Sequence, residues 1–199
     1  QNDIAYALVN RLVARSKAAD GSSLYRELLN LRLSQSYDID EERNNRSGED
    51  QPFSDVRVEL ALRPTPNIAI DLDSRIPVYA EARFRTLSVG ASVRDDTGNA
   101  LRIDYSYKDV DFTGLATDYL KVRVDTPVLK PVYVTLEERY DFRENRALEK
   151  IVGLEYRSKC WSIFLTYRNR YLEFEKDDKE VAFAFVLSGL GMGQGFGSG

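Results

Sequence analysis

The chain contains no histidine and a single cysteine among its 199 residues. Without histidine there is no Ser–His or Cys–His nucleophile pair, and the commonest side-chain acid–base is missing. Most zinc sites are removed with it. No catalytic residue, metal or cofactor is therefore expected. No run of about 18 apolar residues occurs, which excludes a transmembrane helix. Acids and bases are interspersed and sum to a net charge of -4, with no basic stripe of the kind a nucleic-acid partner needs. The first residues, QNDIAYAL, show neither a basic segment nor an apolar core of a signal peptide. A mature N-terminus and an internal fragment would both open this way.

What is present is alternation. The mean hydropathy of -0.42 and the 30% of charged residues read as soluble. Strands that are polar on one side only would give the same average. Residues 55–63, DVRVELALR, place Val56, Val58, Leu60 and Leu62 on one face and Arg57, Glu59 and Arg63 on the other. LRIDYSYK (101–108) and LKVRVD (120–125) repeat the scheme. A period of two is a strand signal, and the three- and four-residue spacing of a helix is not there.

Turn chemistry punctuates the runs: AADGSS, RPTPN, DDTGN and TPVLKP. About eleven strands result, near 3–16, 24–40, 54–63, 67–76, 81–95, 100–109, 118–126, 131–142, 147–158, 160–172 and 180–189. The predicted fold is all-β, an antiparallel up-and-down meander, because no helical crossovers separate the strands. Short turns alternate with longer polar connections such as DEERNNRSGEDQPFS, KDVDFTGLATD and RYLEFEKDDKE. That asymmetry, with strands near ten residues, is the pattern of a transmembrane β-barrel. Tyr25, Tyr37, Tyr105, Tyr107, Tyr140, Tyr156, Trp161 and Tyr167 would supply interfacial girdles.

Two tracks break the alternation. Glu81, Arg83 and Arg85 share a parity with Leu87, Val89 and Val93, which suggests a bulge or an outer end beyond the bilayer. Glu138 stands in the apolar row of Val132, Val134, Leu136 and Tyr140 with no evident reason. The run DDTGN (95–99) has some calcium-loop residues but lacks the spaced ligands and terminal Glu, so it reads as a hairpin turn.

The segment IVGLEYRSKCWSIFLTYRNRY (151–171) resembles the near-terminal hairpin of the LptD family of lipopolysaccharide-assembly proteins. FAFVLSGLGMG (183–193) resembles that family's closing strand. SDVRVELALRPTPNIAIDLD and DDTGNALRIDYSYKD fall where the family has strand–turn–strand units. The resemblance implies a Gram-negative outer-membrane barrel that receives lipopolysaccharide and releases it through a seam between its first and last strands. It also implies an LptE-like lipoprotein plug in the lumen, outer-membrane lipid around the barrel, and an LptA-like periplasmic bridge reached through an N-terminal domain. Residues 1–199 would then be the C-terminal part of a barrel of about twenty-six strands, and an odd strand count fits a portion better than a self-contained barrel.

The resemblance also sets the expectations for individual residues. Cys160 falls where the family has two adjacent cysteines bonded to the N-terminal domain. Lys159 occupies the first position, so one inter-domain disulfide through Cys160 is implied and a second is not. Its bland alternative is a free thiol. Phe183, Phe185, Leu187 and Gly189 would form the seam strand, with Gly189, Gly191 and Gly193 either weakening its pairing or forming a tail. The polar row Arg57, Glu59, Arg102, Asp104, Lys121, Arg123, Asp125, Glu137 and Arg139 would face the lumen. It reads equally as a solvated wall whose charges pair across strands or as a chamber that passes sugars and phosphates. A passive porin-like channel and a soluble β-rich binding domain are the alternatives. The first needs no disulfide and ends on an aromatic residue at the barrel base, whereas this chain runs on as GMGQGFGSG. The second needs another sheet to cover its apolar rows. A barrel lipase or protease would use the histidine this chain lacks.

Overall fold

The computed structural model describes residues 2–17, 20–44, 51–79, 84–109, 116–171 and 178–187. Strands β1 (Asp3–Lys17), β2 (Ser23–Asp38), β3 (Val56–Thr65), β4 (Ile68–Ile76), β5 (Thr86–Arg94) and β6 (Ala100–Lys108) come first. Strands β7 (Thr117–Leu129), β8 (Val132–Asp141), β9 (Arg146–Arg157), β10 (Trp161–Arg170) and β11 (Asp178–Leu187) complete the set. They form one 11-stranded sheet in sequence order, so every strand pairs with its predecessor and its successor. The pairings are antiparallel throughout, as a meander with short connections requires. β1 and β11 are the two free edges.

The predicted meander is observed, and its deviations have local causes. The second strand stops at Asp38 rather than residue 40, because α1 (Ile39–Asn44) begins there. The Asp38 carboxylate accepts the backbone N–H groups of Asp40 and Glu41 at 2.8 and 3.1 Å, an N-cap that turns the chain out of the sheet. Asp40, Glu41 and Glu42 then suit the positive end of a first helical turn. The fifth strand begins at Thr86, so Arg85 lies outside it and pairs with Asp55 at 2.9 Å. The register from β4 to β6 runs without a shift, so no bulge occurs within Thr86–Arg94; Glu81 and Arg83 lie outside the described residues. A shift occurs instead between β1 and β2, where Leu12 faces Leu29 but Val13 faces Glu27, leaving Leu28 as the extra residue. This reverses the parity of Tyr25, which lies on the side of Arg15, 5.8 Å from its guanidinium, and not in the apolar row.

Connections at one end of the strands are tight. Residues 95–99 join β5 to β6, and the Asp95 carboxylate organises the turn. It accepts the backbone N–H groups of Thr97, Gly98 and Asn99, and the side chains of Thr97 and Asn99. Gly98 holds φ at +102°, where a Cβ would be strained. The Asn99 amide first, then Thr97, hold the Asp95 carboxyl far below the usual carboxylate range. A depressed pKa means the turn gains stability from the charged form. That gain is present at neutral pH and is lost only as pH falls through the depressed value. Asp95 should therefore still be ionised where free aspartate, near about 3.9, is protonated. A carbon-13 carboxyl titration of labelled protein checks this; a midpoint at the free value would remove the capping role.

Candidate functional site

Residues directly opposed across an antiparallel pair share a face. Arg57 opposes Arg75 and Glu59 opposes Asp73. Asp73 opposes Ser88, Ser88 opposes Ser106, and Asp104 opposes Gly90 and Lys121. Lys121 then opposes Arg139, and Arg123 opposes Glu137. All nine residues of the expected polar row, Asp125 included, therefore lie on one face.

Charges of opposite sign meet along that face. Arg57 reaches Asp73 at 2.6 Å and Glu59 at 3.1 Å. Arg102 holds Asp104 in a two-point contact at 2.7 and 2.8 Å. Lys121 and Arg123 both reach Glu137, at 3.1 and 3.6 Å, and Arg123 also holds Asp125 at 2.9 Å. The Thr135 hydroxyl donates to Asp125 at 2.6 Å. Arg139 lies over the Tyr119 ring at 4.1 Å. Gly90 makes room for the Arg102–Asp104 contact, since a Cβ there would stand 3.0 Å from an Asp104 oxygen. Partly exposed pairs of this kind contribute about 0–1 kcal/mol each. Their effect is to leave few unbalanced charges.

This face extends beyond the nine residues expected from the sequence. Asp71 and Asp73 of β4, Arg32 of β2, and Glu149, Glu155, Arg157 and Arg168 of β9 and β10 extend it. The signal was available in the alternation IAIDLD of β4. Residues from β1 to β7, among them Arg11, Arg32, Glu59, Asp73, Arg102 and Tyr119, jointly line a trough of about 680 Å³. Seven strands at roughly 4.8 Å spacing could not share one trough if flat, so the sheet curls toward its polar side.

The opposite face is apolar and uncovered. Leu62, Ile70, Ala91, Ile103 and Val122 oppose one another in sequence across β3 to β7. Among the described residues there is no buried hydrophobic side chain, and Val181 and Phe183 are 69% and 68% exposed. Aromatic groups mark both ends of this face. Tyr156 stacks on Trp161 at 5.3 Å, with Phe185 at 6.0 Å from Trp161, near the short turns. Phe142 contacts Tyr140 at 5.4 Å and Tyr105 at 6.4 Å near the longer connections. From Val132, opposite Tyr156, to Tyr140 is about 26 Å along β8 at roughly 3.3 Å a residue. That is near the height of a barrel's apolar band before tilt.

The remaining expected positions fall at an edge and a turn. Phe183, Phe185 and Leu187 oppose Leu165, Ile163 and Trp161, so they belong to the apolar face of edge strand β11. Gly189, Gly191 and Gly193 lie outside the described residues. Cys160 is an exposed free thiol in the tight β9–β10 turn, where Ser158 donates its N–H to the Trp161 carbonyl at 2.8 Å. No cluster able to hold a metal occurs among the described residues.

A single curled sheet with a paired polar face and an uncovered apolar face between aromatic bands is part of the wall of a transmembrane β-barrel. The family model described as "LPS transport system D" matches residues 1–130. LPS-assembly protein LptD of Thiobacillus denitrificans is 25% identical over 193 residues, which is 96% of this chain and 25% of that protein. The LPS-assembly protein LptD of Pseudomonas fluorescens is 33% identical over 92 residues (39% of this chain, 10% of that protein). That of Pseudomonas aeruginosa is 35% identical over 75 residues (33% and 8%). Outer membrane phospholipase A from Escherichia coli aligns over 94% of this chain and 77% of its own, with a TM-score of 0.42 at 12% identity. That alignment is too loose to carry function. The chain belongs to the LPS transport system D family, a component of the Gram-negative outer membrane. It spans a quarter of the length of the Thiobacillus relative, and less of the two Pseudomonas proteins.

Proposed function

We propose that these residues are the C-terminal wall of a barrel that delivers lipopolysaccharide to the outer leaflet, without catalysing a reaction. The uncovered apolar face carries the reading, because eleven strands with no second layer among the described residues need lipid to cover them. A soluble binding domain would bury those rows. In this reading Arg57, Glu59, Arg102, Asp104, Lys121, Arg123, Asp125, Glu137 and Arg139 face the lumen. There they meet the sugars and phosphates of the lipid or an LptE-like plug. The edge strand bearing Phe183, Phe185 and Leu187 is one side of the seam. Cys160 links the barrel to the N-terminal periplasmic domain that receives lipid from an LptA-like bridge. Acyl chains leave through the seam and never cross the charged interior.

Site-specific photo-crosslinking in the full-length protein tests this assignment. A benzoylphenylalanine at Asp104 should capture lipopolysaccharide or a lumenal lipoprotein. The same group at Ile103, one residue away, should capture phospholipid or other membrane lipid and no lumenal lipoprotein. Phospholipid or lipoprotein capture of equal strength at both positions would sink the inside–outside assignment.

A further inference from the structure

The charged interruption of the apolar face is not scattered. Glu138 opposes Lys150, Lys150 opposes Asn169, and Asn169 opposes Lys179, which makes one cross-strand ladder over β8 to β11. The same register row continues across β7 and β6 as Val122 and Ile103, which stand in mid-strand, whereas Asn169 and Lys179 stand one residue from the ends of their strands. The ladder lies toward the longer connections, one step along the strands from Leu136, Val152, Tyr167 and Val181. Glu138 and Lys150 pair at 3.2 Å with both side chains more than half exposed. Lys179 has no carboxylate partner among the described residues, since its neighbour Glu180 points to the other face and holds Arg168 at 3.2 Å. The row thus carries two cations and one anion, an excess of positive charge beside the apolar row Leu136, Val152, Tyr167 and Val181. Lysines at an apolar boundary extend their stems along it and lift the ammonium to the polar layer. The two lysine backbones are about 10 Å apart across the intervening strand, within reach of one phosphate.

Below the ladder, on the last three of its four strands, Val152, Leu165, Val181, Phe183 and Phe185 form an exposed apolar strip. A cationic head site above a multi-strand apolar strip matches an amphipathic lipid with a phosphorylated head and several chains. We infer that Lys150, Asn169 and Lys179 hold the phosphorylated head of a lipopolysaccharide molecule on the outer surface of β9 to β11, its chains lying on the strip below. Glu138 fixes Lys150 in this arrangement and leaves Lys179 free to take most of the phosphate charge. This rests on the proposed lipid-facing role of the apolar face and adds to it a site outside the barrel, beside the edge strand.

A crosslinker at Leu165 in the full-length protein, in its own outer membrane, tests the assignment. Adducts are separated into lipopolysaccharide and phospholipid. The expected result is a lipopolysaccharide adduct that falls at least fivefold in Lys150→Gln/Lys179→Gln and is restored in Lys150→Arg/Lys179→Arg. The arginine pair keeps the charge, so it separates loss of the site from loss of folding. Undiminished lipopolysaccharide capture in the glutamine pair would overturn the head site. So would phospholipid as the main adduct, or failure of the arginine pair to restore capture while the protein assembles. No lipid adduct of any kind at Leu165 would overturn the lipid-facing assignment itself.

Discussion

Replacing Ile103 by arginine is expected to block assembly, whereas Ser106→Arg on the same strand is expected to be tolerated. Ile103 sits in mid-strand on the apolar face, between Ala91 and Val122. A guanidinium at the centre of the bilayer costs about 2–4 kcal/mol. At 1.36 kcal/mol per decade this is roughly a 30- to 900-fold shift in the folding equilibrium. Ser106 opposes Ser88 and Tyr119 on the polar face and borders the charged trough, where another cation stays hydrated. The measurement is the fraction of full-length protein that resists unfolding in sample buffer without heating, compared between the two variants. Equal assembly, or a greater defect in Ser106→Arg, would mean that the faces have been assigned the wrong way round.

Most of the fold was legible because a barrel wall is the simplest case of strand patterning. With each strand next to its sequence neighbours, parity alone decides which face a residue joins. That is why Arg57 and Arg139, far apart in sequence, could be placed on one face before their registers were known. The failures came where parity changed or stopped. Alternation along β2 puts Tyr25 in the apolar girdle, but the extra residue Leu28 reverses its side, and no single-strand pattern reports a bulge in a pair. The early end of β2 was encoded in Asp-Ile-Asp-Glu-Glu, a capping sequence that also continues the alternation well enough to be read as strand. Arg85 conflicts with its row only in a strand that starts at residue 81, and the strand starts at Thr86.

Glu138 shows what sequence withholds even when parity is right. Alternation places it in an apolar row but offers no reason, because the reason is another strand's residue. Register sets it against Lys150, and β10 and β11 then add Asn169 and Lys179 to the same row. The anomaly is thus one rung of a ladder. Four strands have to be aligned before its sum of charge, and hence its suitability for a phosphate, can be seen.

Replacing Cys160 by serine is expected to leave the barrel folded but to impair lipid delivery by the full-length protein. The thiol is exposed at a tight turn, on the same end of the sheet as the Lys130–Pro131 connection and the Asp95 turn. Short turns belong to the periplasmic side of such barrels. A partner cysteine from the N-terminal domain could approach there without disturbing a strand. Trp161, Tyr156 and Phe185 pack the apolar side next to this turn and hold the hairpin in place whether or not the thiol is bonded. A bridge closing so long a loop would stabilise the placement of that domain by about 4 kcal/mol or more in the loop-entropy model, less any strain. The serine variant should therefore keep its resistance to unheated sample buffer and lose a slow-migrating oxidised form on non-reducing gels. Surface lipopolysaccharide should fall with that form. A free Cys160 thiol in assembled wild-type protein, together with normal delivery by the serine variant, would leave the turn with a structural role only.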